Sequence, residues 1–94
     1  MTKEEIEQTE RFFECYSEKP YRDAYFRQEN NTGKSFFHKE QDVFKIIIFP
    51  ETNQVYQLNT DHEIYGIELE TFKDLRVRFE SFTGEKIYNI SENN

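Results

Sequence analysis

Phe44-Lys45-Ile46-Ile47-Ile48-Phe49 is the stretch on which the fold turns. Both alternating sets, Phe44/Ile46/Ile48 and Ile47/Phe49, are apolar, and a strand apolar on both sides is one buried on both faces. Two arrangements satisfy it: helices divided between the faces of a sheet, or helices on one face and a second copy of the chain on the other. The longest unbroken apolar run is residues 46–50, far short of the roughly 20 residues of a membrane-spanning helix.

The neighbouring segments read as partners for this strand. Residues 35–38 form a strand across a turn at 39–42, and 54–59 follow across Pro50-Glu51-Thr52-Asn53, as in a hairpin. Residues 63–69 alternate, with Tyr65, Ile67 and Leu69 facing one way and Glu68 the other. A helix is expected over 71–84: Thr71 caps it with Asp74 three residues on, and Phe72, Leu75, Phe79 and Phe82 recur at helical spacing. Gly84 supplies the left-handed residue that ends it. Residues 86–90 then form a last strand, and 91–94 fray, as do 1–2.

Upstream, Ile6, Thr9, Phe12, Phe13 and Tyr16 line one side of a helix over 3–16, with Glu4, Glu7, Glu10, Glu14 and Glu18 on the other. Thr2 and Glu5 have capping-box spacing. Pro20 favours the first turn of a second helix over 21–28, where Tyr21, Ala24, Tyr25 and Gln28 share a side. Residues 29–34, with two Asn and Gly33, read as a loop. The expected class is α+β in one domain, 1–94: two N-terminal helices, an antiparallel three- to five-strand meander, one amphipathic helix and a C-terminal strand. Ten Phe, six Tyr and eight Ile supply the buried area that a chain of this size needs to fold.

Charge is distributed in blocks. Residues 1–18 carry six carboxylates against two bases, 19–39 two against five, and 40–94 eleven against five, for a net −7. Fields of one sign steer partners of the other, so the acid suggests a protein partner with a basic surface. The single cysteine, Cys15, permits no intramolecular disulfide, and no signal segment is visible, so a soluble cytoplasmic protein with no membrane contact is expected.

Catalytic patterns are weak throughout. Gly33-Lys34-Ser35 resembles the end of a phosphate loop, but Gln28 stands where the first glycine belongs. His38 and His62 are the only histidines, and Thr60-Asp61-His62-Glu63 does not have the convergent spacing of a zinc site. Glu68 and Glu70 would share a strand face about 7 Å apart, a spacing equally at home on a wet edge. No enzyme, metal or cofactor is expected.

Three functions fit what remains. The leading one is a small acidic interaction protein that inhibits or regulates a nucleic-acid-handling partner. Mobile elements and phages encode such anti-defence proteins, and some imitate nucleic acid with carboxylates. Its binding residues would be Glu4, Glu7, Glu10, Glu14 and Glu18 on one surface and Asp61, Glu63, Glu68 and Glu70 on another. The second is a nucleic-acid-binding regulatory module in residues 21–39, using Arg22, Arg27, Lys34 and Lys39 with Tyr25, Phe36 and Phe37 for phosphate pairing and base stacking. The third is a homodimer or larger homo-oligomer built on the sheet face around residues 46–48.

Overall fold

A computed structural model describes residues 1–16, 22–37, 43–58 and 65–86, excluding the side chains at 15, 16 and 37. Its elements are α1 (Lys3–Tyr16), β1 (Arg22–Phe26), β2 (Asn31–Phe37), β3 (Lys45–Phe49), β4 (Gln54–Leu58), β5 (Gly66–Glu68) and α2 (Phe72–Thr83). The strands form one antiparallel sheet in the order β1-β2-β3-β4-β5. The class is α+β, with a single helix before the sheet.

The expected second helix over 21–28 is therefore a correction. Along β1, Ala24 and Phe26 are buried while Arg22, Asp23 and Tyr25 are exposed, a period of two. Apolar residues at 21, 24, 25 and 28 fit a helix, and those at 24 and 26 fit a strand. Pairing with β2 decides between them, through Ala24 opposite Gly33 and Phe26 opposite Asn31. The expected loop at 29–34 shrinks to a turn at 27–30, closed by Glu29 N–H donating to Phe26 O (3.2 Å). Asn30 takes the left-handed conformation (φ 53°) that ends this turn. The β3–β4 turn has the same construction: Thr52 N–H donates to Phe49 O (3.2 Å), and Asn53 is left-handed (φ 55°). The expected strand over 86–90 lies, from 87 on, outside the described residues.

Both helices lie on one face. Ile6, Phe12 and Phe13 of α1 and Phe72, Leu75 and Phe79 of α2 join Phe36, Phe44, Ile46, Ile48, Val55 and Leu69 in one core. Phe13 sits at its centre, with its ring against those of Phe12, Phe36, Phe44 and Phe79 at centroid distances of 5.1–6.2 Å. The helix ends follow their sequence signals. Thr71 Oγ1 accepts from Asp74 N–H (3.1 Å), and left-handed Gly84 (φ 75°) donates to Glu80 O (3.0 Å). Thr2 and Glu5 bond reciprocally (2.9 and 3.2 Å) at the start of α1.

The other face is also buried, and among the described residues no helix packs on it. Ala24, Phe26, Ile47, Phe49, Tyr56 and Leu58 form a second core there, with Phe26 and Ile47 fully inaccessible. Strand spacing explains how. In a flat sheet β1 and β4 would stand about 14 Å apart, yet the Phe26 and Tyr56 ring centroids are 5.0 Å apart. At the edges, Gly66 N–H donates to Gln28 Oε1 (3.0 Å), linking the β1–β2 turn to β5. The sheet rolls up, helices on its convex side and the second core in its hollow. Residues of small volume make room for the roll. A Cβ on Gly33 would lie 2.8 Å from Ile47 Cγ1 and from Ile48 O, and one on Gly66 2.9 Å from Gln57 O. Among the described residues no helix covers this face; its side chains bury one another across the roll.

Candidate interaction surfaces

The acidic side chains of α1 are set by its apolar stripe. With Ile6, Thr9, Phe12 and Phe13 inward, Glu4, Glu7 and Glu14 project to solvent together with Lys3 and Arg11. Glu10 is set apart: its carboxylate pairs with Lys34 Nζ of β2 at 3.3 Å, both groups partly buried. Glu18 lies outside the described residues. The exposed side of α1 thus alternates acid with two bases.

Glu5, on the inner border of α1, has a structural task. Its Oε1 accepts from Thr2 N–H at 2.9 Å and its Oε2 from Phe72 N–H at 2.6 Å, so one carboxylate serves the N-termini of both helices. Burial pushes this carboxyl up, but bonds from the Thr2 and Phe72 N–H groups and the Thr2 hydroxyl outweigh that and hold it below its ordinary value.

Of the second acidic set, Glu68 and Glu70 are exposed, Glu68 at the end of β5 and Glu70 beyond it. Asp61 and Glu63 lie outside the described residues. Glu68 shares the hollow side of the sheet with Tyr56, its cross-strand partner. Tyr56 Oη donates to Glu29 Oε2 (2.5 Å) and accepts from Gln54 Nε2 (3.2 Å). Burial, the Glu29 bond and the charges of Glu29 and Glu68 raise the phenol above its usual range. It stays protonated, a fixed donor that ties the β1–β2 turn to β4.

Among the described residues the basic segment does not converge. Arg22 is on β1, Arg27 in the turn, and Lys34 on the helix side of the sheet with Glu10; Lys39 lies outside the described residues. Tyr25 is exposed and donates its hydroxyl to Asn30 Oδ1. Phe36 is 1% exposed and packs on Phe13, so it has no face to offer a base. Gly33 and Lys34 border a hollow of about 370 Å³ with Asp23 and Glu51. Both sit within β2, and among the described residues no helix N-terminus is there to hold phosphate.

Ile46, Ile47 and Ile48 are fully buried within one chain, so that sheet face presents no area to a second copy. The exposed apolar side chains lie elsewhere, chiefly Val43, Tyr65, Ile67, Val77 and Phe82. Tyr65 and Ile67 were expected to turn inward with Leu69. The buried side chains of α2 pack with those of β3 and β4, and Arg78 donates to Gln57 Oε1 of β4 (3.2 Å), so no described helix lies over Tyr65 and Ile67. The sequence carried one signal of this surface, since Val77 falls off the buried stripe of α2.

Among the described residues no three acids, histidines or cysteines gather as a metal site would require, and no helix is long and apolar enough to cross a membrane. Comparison with protein families, with curated proteins and with solved structures found no match to this chain.

Proposed function

We propose that this chain acts by occupying the surface of a protein partner, as an inhibitor or regulator of a nucleic-acid-handling protein of the anti-defence type. The observation that carries this reading is a net charge of −7 with Glu4, Glu7, Glu14, Glu68 and Glu70 all exposed. Such carboxylates accelerate encounter with a basic groove and resemble the charge row of a nucleic-acid strand.

The test is capture from host extract with the tagged protein at low and at high salt, beside a variant carrying Glu4→Lys, Glu7→Lys and Glu14→Lys. A nucleic-acid-binding protein should be retained at low salt, lost at high salt, and lost from the variant, because exposed charges are screened beyond about 8 Å at physiological salt. Capture indifferent to both changes rules the reading out.

A further inference from the structure

We propose that the edge of β5, which pairs with no further strand among the described residues, takes an extended segment of a partner protein as a sixth strand along the groove toward α2, one that alternates apolar with basic residues. This rests on reading the Glu68/Glu70 surface as partner-binding and is independent of the α1 face.

The backbone supplies the first argument. Leu69 N–H donates to Val55 O (2.8 Å), so in an antiparallel ladder Ile67 also points its N–H and C=O toward β4. Gly66 and Glu68 then direct theirs away from the sheet. Of these outward groups, Gly66 N–H is occupied by the side chain of Gln28 (3.0 Å). An incoming strand would bond at Glu68 and at Gly66 O, displacing the Gln28 amide to reach Gly66 N–H. This is strand addition, in which the main chain gives affinity and alternate side chains give selectivity.

The two sides of that edge differ in chemistry. Toward α2, Ile67 (55% exposed) borders two hollows, one of about 360 Å³ with Phe82 (49%) and one of about 320 Å³ with Val77 (56%), Lys73 and Asp74, and Arg78 lines both. Toward the hollow of the sheet, Glu68 and Glu29 both act on Tyr56. Because side chains of a strand alternate between faces, an added strand meets Ile67 with the charged and apolar side chains of α2 on one side and the Glu68 and Glu29 carboxylates on the other. A second copy of this chain fits less well, since pairing two β5 edges brings together two bodies of charge −7.

The experiment uses the whole chain and a labelled nine-residue peptide alternating Leu with Lys, read by fluorescence anisotropy. Controls are a peptide of the same composition with its Leu residues contiguous, one alternating Leu with Glu, and one N-methylated along its bonded edge. Each control should bind at least about tenfold more weakly than the alternating Leu/Lys peptide. Glu68→Lys should reverse the preference to the Leu/Glu peptide, and Gln28→Ala should tighten binding about threefold by removing the competing amide. The Glu4/Glu7/Glu14 charge reversal should leave peptide binding unchanged, which separates failure here from failure of the α1 surface. Equal binding of all four peptides, no binding, or indifference to Glu68→Lys overturns the proposal. So does self-association through β5, or binding that emerges only when residues 87–94 are deleted, which would assign the groove to the chain's own C-terminal segment.

Discussion

Glu5 shows how one side chain joins local and long-range structure. Its contact with Thr2 is readable from spacing alone, whereas its 2.6 Å bond from Phe72 N–H spans 67 residues and has no signature in the sequence. A carboxylate that accepts from two helix N-termini stabilises through charge as well as geometry. Glu5→Gln keeps the shape but removes the charge and one acceptor oxygen, and should cost about 1–2 kcal/mol near neutral pH. The sign of its pH dependence follows from the lowered carboxyl. A group with a depressed folded value contributes fully above its unfolded value, about 4.3, and loses that contribution as pH falls through the lower folded value. The stability gap between the native chain and Glu5→Gln, measured by urea unfolding, should therefore be widest near pH 7 and shrink below about pH 4. A gap that stays constant with pH would remove the charge from the account.

At the scale of elements, α1 and α2 were legible by their helical period, β3 by an unbroken apolar run, and β4 by the turn at 50–53 that leads into it. β1 was not. Tyr21, Ala24, Tyr25 and Gln28 satisfy a helical period as well as Ala24 and Phe26 satisfy a strand, and only pairing with Gly33 and Asn31 on β2 resolves the two. The turn that makes this pairing had a readable counterpart at 50–53, since both turns end in a left-handed Asn directly before a strand. The candidate surface was legible only in its charge. Exposure of Ile67 depends on where α2 comes to rest, and periodicity does not report that. Asn53 lends itself to a direct test of the shared turn. An alanine in the left-handed region costs about 1–2 kcal/mol, while glycine reaches it without strain. Asn53→Ala should lower the urea midpoint, and Asn53→Gly should hold or raise it. Equal loss in both variants would mean that the Asn side chain, rather than its backbone conformation, maintains the turn.

For the whole molecule, the roll of the sheet is what buries its second face. An antiparallel sheet with helices on one face ordinarily leaves its other face wet, but here Ala24, Phe26, Ile47, Phe49, Tyr56 and Leu58 are buried there against one another. Phe26 is the keystone, reaching from β1 to the Tyr56 ring (5.0 Å) and the Phe49 ring (6.1 Å). Truncating a fully buried Phe costs about 3–5 kcal/mol, against a total stability of about 5–15 kcal/mol for a domain. Phe26→Ala should therefore leave the chain partly or wholly unfolded at 37 °C, whereas Phe82→Ala, at a ring 49% exposed, should cost about 1 kcal/mol or less. Protein concentration supplies the second arm. If this core belongs to one chain, the urea midpoint is the same at low and high concentration, while a face buried between copies makes it rise with concentration. Equal cost at positions 26 and 82, joined with a concentration-dependent midpoint, would mean that the sheet lies open and that a second copy, not its own curvature, covers Ile47.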